Sequence, residues 1–100
     1  MIVYNVTIKV EFSIADAWLK WLKEEHIPEV MATGYFNNFR ILRLLDEEED
    51  GITHTIQYET GKREKYEAYI ERHAPMLRDK SFEKWGTKFI GFRSLMQLVN

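Results

Sequence analysis

The chain predicts an α+β domain in which the unit strand, helix, strand is used twice, and three observations carry that prediction. Thr7-Ile8-Lys9-Val10-Glu11, His26-Ile27-Pro28 and Phe36-Asn37-Asn38-Phe39-Arg40-Ile41-Leu42 recur, in the same order, as Thr55-Ile56-Gln57-Tyr58-Glu59, His73-Ala74-Pro75 and Phe89-Ile90-Gly91-Phe92-Arg93-Ser94-Leu95. Three matches in register imply two copies of one structural unit, over 1–47 and 52–100. The opening residues alternate apolar and polar, as a half-covered strand does. Each half then carries a helical pattern that a proline interrupts.

From Ile2 to Phe12 the even positions are apolar, while Asn5, Thr7, Lys9 and Glu11 fall between them, so this is a strand covered on one face. Ser13, with Asp16 three residues on, marks a helix start. Ile14, Ala17, Trp18, Trp21 and Leu22 follow at helical spacing and turn Asp16, Lys20, Lys23 and Glu24 outward. Pro28 has no amide hydrogen and disfavours helical geometry in the residue before it; it opens a short second helix that Gly34 ends. The same reasoning at Pro75 divides a helix over 62–72 from one that runs to Trp85 and stops at Gly86. Between the halves, Asp46-Glu47-Glu48-Glu49-Asp50-Gly51 reads as a solvated hairpin ending in the Asp-Gly pair of tight turns. A calcium loop is the competing reading, but the run lacks alternating ligands and a terminal bidentate glutamate. Two crossovers of this kind interleave into a ferredoxin-like βαββαβ arrangement: a four-stranded antiparallel sheet with both kinked helices on one face.

With 100 residues the chain forms a single domain able to bury about 65% of its unfolded surface. A net charge of -2 and the absence of any basic run argue against a nucleic-acid partner. There is no cysteine, hence no disulfide framework or thiolate metal site. No leader or long apolar span is present, so no membrane association is expected and the cytoplasm is the default location.

The repeat also assigns faces. Ile90, Phe92, Met96 and Leu98 are placed on the helix-covered side, and Phe39, as the repeat partner of Phe92, with them. Arg40, Arg93, Leu42, Leu95 and Gln97 then join Asn5, Thr7, Thr55 and Gln57 on an open face of mixed polarity. Exposed leucines on an open sheet invite a partner, and a homodimer is inferred.

The element order, the His-x-Pro at each helix kink and the closing Phe-x-x-Phe-Arg-x-Leu strand resemble an uncharacterised bacterial family of small ferredoxin-like proteins, a domain of unknown function. That resemblance spans nearly the whole chain. More broadly the chain is similar to the dimeric α/β-barrel proteins, which include cofactor-free monooxygenases, small isomerases and haem-dependent relatives. The resemblance implies two sheets associating through their open faces, with a small-molecule cavity between sheet and helices in each subunit.

Candidate chemistry is sparse. His26 and His73 sit at predicted helix C-termini, where the helix dipole favours a partly positive ring and free carbonyls accept bonds, so a structural role is read first and a catalytic base second. His54 falls on the apolar face of the third strand and reads as a hydrogen-bonded core or cavity histidine before it reads as a catalyst. The three histidines show no metal spacing; neither a metal nor a cofactor is expected. Trp18, Trp21, Tyr66, Tyr69, Phe82 and Trp85 read as packing, with the alternative that they wall a pocket for a planar substrate. Arg40 and Arg93 could clamp a carboxylate ligand, or bridge to Glu11, Glu59 or Asp46 across a dimer. RNA-recognition domains need aromatics where Asn5, Thr7, Thr55 and Gln57 stand, metal chaperones need a Cys-x-x-Cys loop, and acylphosphatases need an arginine and a glycine-rich loop where Glu11-Phe12-Ser13 stands. Two functions remain: a homodimeric module binding a small molecule or another protein, and a cofactor-independent monooxygenase- or isomerase-like enzyme acting on an aromatic or enol-like metabolite.

Overall fold

Alternating side chains in the first and third strands can bury one face only if something roofs it, and two helical segments do so. The computed structural model describes residues 1–46 and 49–100. Its elements are β1 (Ile2–Val10), a 3-10 turn (Phe12–Ile14), α1 (Ala15–Trp21), a π-helical turn (Leu22–His26), α2 (Ile27–Ala32), β2 (Asn38–Arg43), β3 (Ile52–Thr60), α3 (Arg63–Arg72), α4 (Ala74–Trp85) and β4 (Phe89–Gln97). All pairings are antiparallel and the strand order is β2-β3-β1-β4. This is the ferredoxin-like arrangement expected from the sequence.

The helices bend where the prolines require it, by two different means. Pro28 lies in the first turn of α2 and cannot donate, and the backbone N–H of Ile27 reaches back five residues to the carbonyl of Leu22, forming a π turn rather than a break. At Pro75 the chain breaks instead: His73 leaves helical geometry and serves as the C-cap of α3 and the N-cap of α4. Gly34 and Gly86 follow the two helical segments at φ +80° and +60°, conformations that cost a side-chain-bearing residue steric strain. The first helix does not begin on a Ser13 cap, since no side chain caps it and Ser13 lies within the 3-10 turn.

Trp18, Leu22, Ile27, Val30, Val10 and Ile56 are almost wholly buried, and each contributes about 1.5–3 kcal/mol by leaving water. Ala17, expected among them, is exposed, and Ala15 takes its place. The core therefore sits over β1 and β3, while the edge strands β2 and β4 are largely exposed. A thickness of 19 Å fits two layers, one sheet and one tier of helices.

Register corrects the assignment of β4. Gly91 pairs with Ile8, Arg93 with Val6 and Leu95 with Tyr4, so Arg93, Leu95 and Gln97 lie on the helix-covered face. Ile90, Phe92 and Met96 lie on the open face, and Leu98 is exposed beyond the strand. Phe39 does pair with Tyr58 on the covered side, but at the sheet edge it stays 40% exposed. Thus Phe39 and Phe92, matched by sequence, occupy opposite faces. The open face carries a polar centre, in which Arg40 Nε donates to Gln57 Oε1 (2.7 Å), Gln57 Nε2 to Asn5 Oδ1 (3.1 Å) and Asn5 Nδ2 to Thr7 Oγ1 (3.3 Å). Leu42, Ile90, Phe92 and Met96 flank it as exposed apolar residues.

The β2–β3 connection begins with Leu44 donating to the Thr53 carbonyl (3.0 Å) and ends with Asp50 paired to Lys9. Glu47 and Glu48 of the acidic run lie outside the described residues. Gly51 is buried, and a Cβ there would run into the Val10 carbonyl. Replacing Gly51 with Ala should therefore cost about 1–3 kcal/mol, because backbone must move to admit the methyl group. Gly61→Ala is the control: nothing lies within 4 Å of its Cβ position, and stability should hold or rise slightly. Thermal unfolding of the two variants checks the pair; equal melting temperatures would reject the clash.

Candidate functional site

The covered face is not fully filled. A cavity of about 430 Å³ lies between the sheet and the helical layer, floored by Tyr4, Val6, Ile8, Ile56 and Tyr58 and roofed by Leu22, His26, Tyr69 and Leu77. Its open side is β4, where Gly91 presents no side chain and Arg93 lines the space beside it. Phe82, Phe89 and the sequence neighbours Arg78 and Asp79 also line it, as do Ala74, Ser81 and Phe92. Most of this surface is apolar. The polar groups are few and specific, the pattern usual for a small-molecule site.

Three of those polar groups are phenols. Tyr4, Tyr58 and Tyr69 are each buried, and Tyr4 and Tyr58 face one another across β1 and β3. They stack with Phe36 into one aromatic cluster, with ring centroids 4.9–6.0 Å apart. Burial pushes the Tyr4 hydroxyl up to about 12 despite the charge of Arg93 nearby, and it raises Tyr58 and Tyr69 as well. All three are donors near neutral pH.

His26 is the imidazole that reaches the cavity. It ends the π turn inside a continuous helical run, not at a helix terminus, so the expected stabilisation of a positive ring by the dipole does not apply. Burial lowers its pKa from 6.5 to about 4, with the Glu29 carboxylate acting in the opposite direction. The ring stacks on Trp21 (centroids 4.9 Å, 25°) and also borders an outer groove between the helical segments that holds Glu29, Lys80 and Glu83. A neutral imidazole results, able to accept a proton.

The other expected residues lie elsewhere. His54 is buried on the covered face against Trp18 (5.6 Å) but does not line the cavity; its Nδ1 makes no hydrogen bond among the described residues, contrary to the expected bonded histidine. Its pKa is lowered by burial, then by Arg43 and Lys23. His73 is held at the α3–α4 junction, its N–H donating to the Tyr69 carbonyl (2.9 Å) and its carbonyl accepting from Leu77 (3.2 Å). Trp18 is core. Trp21 packs edge-on to Trp85 (5.9 Å) and walls the outer groove, and Tyr66 packs on Tyr4 (5.2 Å) without reaching the cavity lining. Arg40 and Arg93 lie on opposite faces of the sheet, so they cannot clamp one ligand within a subunit. Tyr4, Tyr58, Arg78 and Asp79 were not singled out by sequence reasoning. For the two tyrosines a signal existed: a phenol at a covered strand position carries a hydroxyl that needs a partner. Among the described residues no group of three or more His, Asp or Glu is placed to hold a metal, and no helix is long and apolar enough to cross a membrane.

An antiparallel sheet in this order, roofed on one side by kinked helices with a cavity between, defines a ferredoxin-like α+β protein. Within that class the chain belongs to the family described as a domain of unknown function, DUF4286, whose model matches residues 1–99. Its fold is similar to that of a dimeric ferredoxin-like protein from an uncultured marine organism (16% identity, 100% of this chain and 96% of that chain, TM-score 0.68). It is also similar to an antibiotic biosynthesis monooxygenase (14% identity, 100% of both chains, TM-score 0.67) and to a mutant of MhuD with two manganese protoporphyrin IX bound per active site (15% identity, 100% and 96%, TM-score 0.72). At these identities the likeness establishes the fold. No curated protein matches the chain by sequence.

The state of His26 has a measurable signature. Below about pH 6.5 the unfolded chain takes up a proton that the folded ring refuses until about pH 4, so stability is lost across that window as pH falls. The limiting slope from this group is about 1.4 kcal/mol per pH unit. His26→Gln should flatten the profile relative to wild type, measured by urea unfolding through the window; His54 shifts the same way in both proteins and cancels. Parallel profiles would show that the ring titrates normally.

Proposed function

We propose that the protein is a homodimer that binds a small, largely apolar molecule in the cavity between sheet and helices. The cavity of about 430 Å³, apolar but for a few convergent groups, is the observation that carries this reading. The dimer is supported by the open sheet face, where Ile90 and Phe92 are 72% and 65% exposed, and by a fold neighbour described as dimeric. Correcting the register of β4 makes that face more apolar than the sequence reading had it, which strengthens the inference.

A second reading is favoured by one observation: His26 is a neutral imidazole at an apolar cavity wall. On that reading the protein is a cofactor-independent enzyme acting on an aromatic or enol-like metabolite, with His26 as base. His26→Asn would then abolish turnover and leave binding intact.

Native mass spectrometry of the purified protein tests both dimer and ligand. The expected result is a dimer at micromolar concentration that retains a small molecule. Ile90→Asp should yield a folded monomer with wild-type circular dichroism, because the side chain is exposed within the subunit, and a melting temperature that no longer depends on protein concentration. A wild-type monomer would overturn the homodimer.

A further inference from the structure

Three of the six arginines have side-chain hydrogen-bond partners among the described residues. Arg40 donates to Gln57, Arg63 to Glu67 and Arg72 to the Tyr35 hydroxyl. Arg93, which lines the cavity, makes no hydrogen bond or ion pair among the described residues. Its charge is nonetheless felt by the Tyr4 and Tyr69 phenols. Those phenols belong to residues only 4% exposed and likewise have no hydrogen-bond partner among the described residues. Their hydroxyl oxygens are not among the sealed, unpaired buried atoms, which are His54 Nδ1 and Trp85 Nε1. They therefore keep an accessible surface, and the space their residues border is the cavity. Hydroxyls that keep accessible surface on an apolar wall and have no protein partner are placed to donate to whatever occupies that space.

We infer that the cavity is built for a molecule with one oxyanion, a carboxylate or an enolate, on an apolar body, the oxyanion taken by Arg93 with the Tyr4 and Tyr69 hydroxyls as further donors. This rests on the cavity being the ligand site and adds the class of ligand. The guanidinium fork matches a two-oxygen anion, and Arg93, exposed at the sheet edge, presents it at the cavity's open side. A single negative charge is specified by the rest of the lining. Arg78 and Asp79 add one formal charge of each sign, so with Arg93 the lining is net positive by one, while the contacts from Val6, Ile8, Leu22, Leu77 and Phe89 are apolar. A phosphate dianion would exceed the single net positive charge of the lining.

The test is isothermal titration of the full chain with 1-naphthoate and with 1-naphthalenemethanol, which share a ring system and differ in the charged head. Wild type should bind the anion about tenfold or more tightly than the alcohol, the scale of a hydrogen bond to a charged group. In Arg93→Met that preference should shrink below about threefold while the alcohol's affinity holds, and Tyr69→Phe should weaken the anion selectively. Equal wild-type affinities would overturn the oxyanion assignment and leave the small-molecule cavity standing. So would a preference that survives Arg93→Met. If neither compound binds, both the cavity reading and the assignment fall. The wild-type comparison decides even if a variant does not fold.

Discussion

The pairing register of β4 on β1 is the constraint from which the two faces of this protein take their character. A strand's side chains alternate, so a slip by one residue would exchange every β4 contact between the covered face and the open one. In the register observed, Gly91 stands opposite Ile8 and Arg93 opposite Val6. Gly91 cannot readily be enlarged, since a Cβ would press on the Thr7 carbonyl (3.0 Å) and on Ile8 (3.1 Å). One strand thereby gives the cavity both its gap and its cation. Its alternate residues Ile90, Phe92 and Met96 give the opposite face its apolar rim.

The sequence was most informative where burial is one-sided. β1 and β3 sit at the centre of the sheet and alternate cleanly, and their faces were read correctly from Tyr4, Val10, Ile56 and Tyr58. β4 defeats the same reasoning because Phe89-Ile90-Gly91-Phe92 is apolar on both sides and has no period to follow. The repeat then supplied a face by aligning Phe92 with Phe39. Pairing instead sets Phe39 opposite Tyr58 and Phe89 opposite Val10 at equivalent covered positions, three residues from the alignment, and an odd offset reverses the face. His26 was misread for a different reason. Proline indicates that a helix must adjust, but it does not say whether the chain will break, as at His73, or absorb the defect, as at Leu22–His26. Only the second keeps the imidazole inside a helical layer, away from a terminus and its dipole.

The cavity is electrostatically sparse. Burial keeps its phenols protonated and His26 neutral, while Arg93 stands exposed at the sheet edge. The site thus contains donors at one wall and an acceptor at another without a fixed negative charge deep inside. Such a site holds its groups ready with little ionic cost to the fold. The core above β1 and β3 is continuous with it: Trp18 lies away from the space, while Leu22, Ile56 and Tyr58 belong to both.

The π turn also bears on comparison among relatives. A helix that widens one turn has accommodated a residue without lengthening a loop, so the defect is written into chain length as well as geometry. Each residue of a regular α-helix advances about 100° around the axis. A relative one residue shorter between positions 18 and 30 would lose the widened turn and carry whatever stands at the histidine's place about a quarter-turn away from the cavity. Counting residues across this helix would therefore sort family members that keep a polar group at the roof of the site from those that have turned it out.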